Sequence, residues 1–361
     1  QQYESDNQRL SFVSGTFNLL VIILFLWMDG IAFVDQIARD ITNNSLFIPL
    51  LFFGILFFAL DLISLPFSIY GTFVIEEKYD FNKTTPKLFI ADKLKGYLLT
   101  AILGGGILLL IVWFYQQTGP MFWIYALAII TLFSLFMTMF YTHLIVPLFN
   151  KLSPLEEGSL KQTIIDFSKK VEFQLKNVFV INGSKRSSKA NAFFSGLGKK
   201  KRIVLFDTLI EKLENNEIVA VLAHEIGHYK KKHTMVNLVL SVVQTGITLY
   251  ILSLFIDNPA FSKALGVGQA SFHVGLITFS LLYNPISTLL GIGMNIVSRK
   301  NEYAADKFAR DNFSGESLIE ALKKLSVNNL SNLTPHPAYV FVHYSHPTLL
   351  QRIEAMQNKS E

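Results

Sequence analysis

The sequence predicts a mainly α-helical polytopic membrane protein, with six transmembrane helices and a small α+β domain on the cytoplasmic face. Three observations predict it. Of 361 residues, 51% are hydrophobic and only 16% charged, with 32 Phe and a mean hydropathy of +0.38, whereas soluble domains carry about a quarter charged residues. Six stretches are long and apolar enough to cross about 30 Å of hydrocarbon, and none of them contains Lys or Arg. The polar remainder gathers into two long segments, 150–233 and 298–361.

The spans are read at 12–28, 46–75, 97–115, 121–149, 234–256 and 274–297. Pro49 and Pro66 are expected to kink the second, because proline removes a backbone donor and crowds the preceding turn. Gly104-Gly105-Gly106 in the third reads as a close-packing point. Residues 1–149 thus form transmembrane helices one to four, with a cytoplasmic loop at 76–96. Residues 150–233 form a soluble segment, 234–297 a transmembrane hairpin, and 298–361 a C-terminal soluble segment. Within 150–233, residues 159–173 have helical periodicity. Residues 178–181 and 202–207 read as short strands, with a polar loop at 182–189 between them. In the last segment helices are expected at 301–311, 317–325 and 347–357, and a loop at 332–345 around Pro335 and Pro337.

Charge assigns the sides. All but Arg39 and Lys263 of the 32 Lys and Arg fall in segments on one face. The positive-inside rule makes that face cytoplasmic, and the short 76–96 loop alone, with its five lysines, points the same way. Basic runs such as Lys199-Lys200-Lys201-Arg202 and Lys230-Lys231-Lys232 read as juxtamembrane clusters; no nucleic-acid partner is expected. The partners expected are a peptide and the lipid bilayer. The chain has no Cys, so a metal must be held by His, Asp or Glu.

One motif carries chemistry. His224-Glu225-Ile226-Gly227-His228 places two imidazoles four residues apart on one helix face, where both can reach one metal ion. Glu225 between them is a general base for a water at that ion. A catalytic zinc takes three protein ligands and leaves a position open. Glu302 in Asn301-Glu302-Tyr303-Ala304-Ala305-Asp306 is the candidate third ligand, at the same end of the 234–297 hairpin as His228. Asp306, one turn on, would accept a ligand's free N–H. The same pair also fits a solvated helix with two acidic residues. His233, five residues past His228, has rotated off the shared face and is a weaker ligand candidate. His143 reads as interfacial, and His273 falls on the far side of the membrane. His346 and Arg352 are spaced to reach one oxyanion, with His336 and His343 as competitors. Asn191, just before Ala192-Phe193-Phe194, fits either a peptide-binding strand edge or a turn. Asp61 lies inside the second span; we read it as structural rather than functional.

Together these stretches resemble a known family. FVIEEKYDFN (73–82), GSKRSSKANAFFSG (183–196), KRIVLFDTL (201–209), HEIGH (224–228), SRKNEYAAD (298–306) and HYSHP (343–347) are similar, in order, to the integral-membrane CaaX prenyl protease 1 family, the Ste24-type zinc metalloproteases of peptidase family M48. The resemblance implies transmembrane helices around a water-filled intramembrane chamber capped by one Zn2+. It implies His224, His228 and Glu302 as ligands and Glu225 as base. It carries over Asn191 as substrate-binding, His346 and Arg352 as transition-state residues, and Asp306 as the ligand's hydrogen-bond partner. The family has seven spans where six are read here, and the stretch from Gln1 looks like the part that follows the family's first span. The function implied is removal of the last three residues of prenylated CaaX proteins. The location implied is multi-pass in the endoplasmic reticulum or inner nuclear membrane of a eukaryote, or the plasma membrane of a bacterium. A broader membrane quality-control metalloprotease is the alternative. A non-catalytic channel or scaffold with structural zinc stands further off, because Glu225 is intact.

Overall fold

A computed structural model describes residues 1–175, 177–195 and 202–358. The basic run Lys199-Lys200-Lys201 lies outside them. Among the described residues five helical stretches are long and apolar enough to cross a membrane. One of them, Pro86–Phe149, has 64 residues, which at 1.5 Å per residue would be about 96 Å of straight helix. It therefore cannot be one pass. It turns back at Gly119, whose φ of 53° lies in the left-handed region, and so accounts for two of the six spans expected.

The chain opens with α1 (Gln2–Trp27) and α2 (Gly30–Ile41). The loop expected at 29–45 is therefore mostly helix. Ile31, Val34 and Ala38 share one face and are buried, a periodicity masked in the sequence by Asp35, Arg39 and Asp40. Next comes α3 (Phe47–Tyr70), which runs on as a π-helical turn, Gly71–Glu76. Pro49 sits in its first turn, where proline is tolerated, and Pro66 lies in its interior. The lysine-rich stretch expected as a loop is largely helical too: α4 (Pro86–Leu99) begins within it, with Thr85 capping its N-terminus, and continues into α5 (Gly105–Thr118). Lys93 on α4 reaches back to Asp61 at 2.7 and 2.9 Å, and Tyr97 donates to the same carboxylate at 2.5 Å. Asp61 is thus neutralised by a neighbouring helix.

After α6 (Phe122–Leu144) and the short α7 (Val146–Phe149) the chain enters the polar segment. This comprises β1 (Leu152–Pro154), α8 (Ser159–Lys170), β2 (Asn177–Ile181), β3 (Ala192–Ser195), β4 (Arg202–Phe206), α9 (Asp207–Lys212) and α10 (Asn215–Lys230). The sheet order is β1-β2-β4-β3, with β2 and β4 parallel and the outer pairs antiparallel. Two of these strands were expected and two were not; β1 and β3 are short edge strands with little sequence signal. Ile164, Ile203, Leu205, Ile218, Leu222, Ile226 and Leu318 form the centre of this core, each contributing about 1.5–3 kcal/mol on burial.

The remaining helices are α11 (His233–Phe255), α12 (Pro259–Ala264), α13 (Phe272–Ala309), α14 (Gly315–Asn328), α15 (Pro337–His343) and α16 (Leu349–Gln357). The structure places no break at 297/298. The last membrane helix runs on as one 38-residue rod into the polar segment. Apolar side chains along the spans stay exposed, Leu132 at 66% and Leu289 at 69%, as lipid contact requires. At the other end of the spans His273 bonds Asp35 at 2.6 Å, and Asp35 also pairs with Arg39. His273 is thus placed away from the HEIGH helix.

Candidate active site

The site is built where α10 crosses α13. On α10, Ile218, Leu222 and Ile226 recur every four residues and are almost fully buried in the core of the polar segment. His224 and His228 start two residues out of step with that row, about 200° around the helix, and so face the other way, toward α13. The N-terminus of α10 is set by a reciprocal capping box between Glu214 and Glu217, and Lys324 on α14 pairs with Glu217 at 2.6 Å. On α13, Glu302, Ala305, Asp306 and Ala309 are buried on one face.

Gly227 makes the crossing close. A Cβ there would lie 3.0 Å from Phe308 Cβ and 3.1 Å from both the Cα and the O of Ala305. Two of these three atoms are helix backbone, which cannot swing aside. Gly227→Ala is therefore expected to push the helices apart and cost about 1–3 kcal/mol. The readouts are a lower Tm in detergent together with weaker metal retention on dialysis.

The crossing brings three donor atoms together. His228 Nε2 is 3.1 Å from His224 Nε2 and 3.1 Å from Glu302 Oε1, and His224 Nε2 is 3.4 Å from Glu302 Oε2. A tetrahedral ion with bonds of about 2.0–2.1 Å needs ligand atoms about 3.3 Å apart. Glu302 Oε2 is also buried without a hydrogen-bond partner, a cost that coordination removes. On both counts His224, His228 and Glu302 fit a metal ion.

Each imidazole is oriented by its other nitrogen. His224 Nδ1 lies 2.8 Å from Asp306 Oδ1, so it donates there and leaves Nε2 free to ligate. Burial alone would lower the His224 pKa. The carboxylates of Asp306 and Glu302 beside it outweigh burial and raise the pKa to about 9. His228 Nδ1 lies 3.0 Å from His233 Nδ1. At that distance a neutral His233 can accept from His228 and orient its ring. Sequence reasoning weighed His233 only as a ligand and missed this second role. A histidine at the first turn after the motif helix was the available signal.

The C-terminal segment folds over the site. Asn295 Nδ2 donates to Val342 O at 2.8 Å, and Arg299 Nη1 donates to the carbonyls of Val340, Phe341 and Tyr344. These contacts fasten α15 along α13 and bring His346 Nε2 to 3.4 Å from Glu302 Oε1. The competitors are placed otherwise: His336 caps α15, and His343 lies tilted against the Tyr339 ring. Thr348 and Gln351 form the capping box of α16. Arg352, in its first turn, is largely buried, with 11% of its side chain accessible, and donates twice to Asp306, through Nε at 2.8 Å and Nη2 at 2.6 Å. Its Nη1 lies 3.8 Å from Glu302 Oε2. Two of its three nitrogens are therefore committed to Asp306; Nη2 also lies 3.3 Å from His224 Nδ1, and Nη1 faces Glu302. Glu225 lies between the two histidines in sequence, is partly buried, and is not among the three residues whose donor atoms could hold a metal ion.

Asn191 stands at the entry to β3, exposed, with its Oδ1 on Ala192 N and its carbonyl accepting from Phe206 N. β3 pairs with β4 along one side and forms the edge of the sheet, where an extended chain can add.

Residues 1–151 match a family described as CAAX prenyl protease N-terminal, five membrane helices, and residues 154–360 match peptidase family M48. The chain is 37% identical to a CAAX prenyl protease 1 homolog of Arabidopsis thaliana over 341 residues, covering 94% of this chain and 80% of that one. It is 33% identical to CAAX prenyl protease 1 of Saccharomyces cerevisiae, covering 100% and 85%, and 32% identical to the Homo sapiens homolog, covering 99% and 85%. The crystal structure of S. mikatae Ste24p superposes with a TM-score of 0.92 at 34% identity, over 99% of this chain and 87% of that one.

Proposed function

The chain belongs to the CAAX prenyl protease 1 family of membrane-embedded M48 metallopeptidases, and from that premise we propose that it removes the last three residues of prenylated CaaX proteins. The observation that carries the reading is the trio of donor atoms 3.1–3.4 Å apart, held where a membrane helix emerges, with Glu225 between two of its members.

In this reading His224, His228 and Glu302 hold one Zn2+, which when bound acidifies a water and polarises the scissile carbonyl. Glu225 takes the proton of the attacking water on its carboxylate and delivers it to the leaving amide nitrogen. His346, the most exposed of the group with 62% of its side chain accessible, donates from Nε2 to the oxyanion as the carbonyl becomes tetrahedral. Arg352 holds Asp306, offsets the carboxylate charge, and keeps Nη1 as a further donor. Asp306 fixes the His224 ring. Asn191 and the free edge of β3 hold the peptide extended. The charge asymmetry of the connecting segments supports a cytoplasmic site, the side on which lipidated C-termini present themselves. The chamber enclosed by the spans, as the family implies, would take the lipid chain.

The test is cleavage of matched prenylated and unprenylated CaaX peptides by the purified full chain, with mass spectrometry of the products. A single cut releasing a tripeptide, strongly dependent on the prenyl group, is the expected result. Scattered cuts at equal rates in both peptides would replace this reading with that of a general membrane protease.

A further inference from the structure

The loop before β3 is fastened to the membrane helices, and the proposed reaction uses none of the groups that fasten it. Lys189 is two residues from Asn191. Its Nζ donates to Tyr3 Oη on α1 at 2.7 Å and lies 3.0 Å from each carboxylate oxygen of Glu76, at the π-helical end of α3. Tyr3 donates to the same carboxylate at 2.5 Å. The ammonium also sits over the rings of Phe81 and Tyr3, 4.5 and 5.0 Å from their centroids. On the protease side the backbone carbonyl of Lys189 accepts from Thr208 Oγ1 at 2.9 Å, which joins it to the first turn of α9, directly after β4. One residue therefore ties the entry of the edge strand to two membrane helices at once.

We propose that Lys189 is a positioning residue for substrate: through Tyr3 and Glu76 it sets the edge strand that begins at Asn191 against the mouth of the membrane domain. The physical case rests on partner chemistry and on lever length. A half-buried ammonium with a carboxylate, a phenol oxygen and the ring of Phe81 makes charge-assisted contacts that hold one geometry. Two residues separate it from the group that meets the peptide, so any drift of the loop passes directly into the strand edge. A second clasp flanks it. Arg186 pairs bidentately with Asp92 on α4 at 2.7 and 2.9 Å and donates to Phe149 O at 2.8 Å. With that clasp intact, loss of Lys189 loosens the strand without unfolding it. The strand edge grips the peptide equally before and during reaction, so its misplacement raises KM and leaves kcat unchanged.

This inference rests on the proposed peptidase reading, and the experiment separates the two. Steady-state hydrolysis of the prenylated CaaX peptide by the wild-type full chain tests the reading itself. Given that activity, Lys189→Met is expected to raise KM about tenfold, with kcat and metal content unchanged. Glu76→Gln keeps the shape of the network and tests the same link without a new apolar side chain; it should raise KM in the same way. The double variant should be no worse than either single one, and Lys189→Arg should recover most of the wild-type KM. A wild-type KM in Lys189→Met or in Glu76→Gln overturns the proposal, as does a fall in kcat at constant KM. So does a lowered Tm as the only change, which would make the contact merely structural.

Discussion

Replacing Glu225 with Gln is expected to lower peptide hydrolysis about 10³-fold, while the protein keeps one metal ion per chain. The substitution is nearly isosteric, and Glu225 lies on α10 outside the trio of ligating residues. The helix is held at its N-terminus by its capping box and from behind by the Ile218, Leu222, Ile226 row, so the fold does not depend on this carboxylate. What the amide cannot do is take a proton from water and return it to the leaving nitrogen. The check is paired: product formation by mass spectrometry, and metal content of the same preparation by elemental analysis. Unchanged hydrolysis with metal retained would remove Glu225 from the reaction and return the metal to a structural part. Lost hydrolysis with metal also lost would mean that the carboxylate supports the site rather than the chemistry.

The contrast between α10 and the rest of the chain shows what a sequence exposes. Periodicity on a helix is local, so the shared face of His224 and His228 is visible from spacing alone. Glu302 is placed by a different fact, that a hairpin returns the chain to the same face of the membrane, which charge asymmetry supplies. Its distance from the histidines is not visible in that way. It depends on Gly227 letting two backbones approach. Other features are hidden because they arise between elements. Lys93 counts as a loop charge in the sequence, yet in the fold it neutralises Asp61 from a neighbouring helix. The apolar face of α2 is diluted by three charged residues, one of which, Asp35, is buried against His273. β1 and β3 are short strands at the sheet edges, with too few residues to show alternation. Arg352 is spaced in sequence to serve an oxyanion. The fold turns two of its three nitrogens to Asp306, a contact 46 residues away along the chain that no local pattern encodes.

That contact carries the second large expected effect. Asp306 is 1% exposed and serves two partners at once, accepting from His224 Nδ1 and pairing twice with Arg352. Removing it in Asp306→Ala leaves the His224 ring without its acceptor, which typically costs 10- to 100-fold in metal affinity. It also strands a buried guanidinium, whose nearest remaining carboxylate is Glu302 at 3.8 Å; breaking a buried pair in this way costs about 3–5 kcal/mol. Asp306→Asn should separate the two effects. The amide oxygen can still accept from His224, but the charge that balances Arg352 is gone, so stability falls more than metal affinity does. Thermal unfolding of metal-free protein in detergent reads the first quantity, and competition with a chelator of known affinity reads the second. If Asp306→Ala unfolds at the wild-type temperature, the pair adds no net stability and Asp306 acts on the ligand alone. If instead metal affinity is unchanged while stability drops, the His224 ring is held by its packing against α13, and the carboxylate is there for Arg352. Set beside Glu225→Gln, these variants divide the site along its physical seams: one tests whether a carboxylate moves protons without holding the metal, the other whether a carboxylate holds the ligand without touching the reaction.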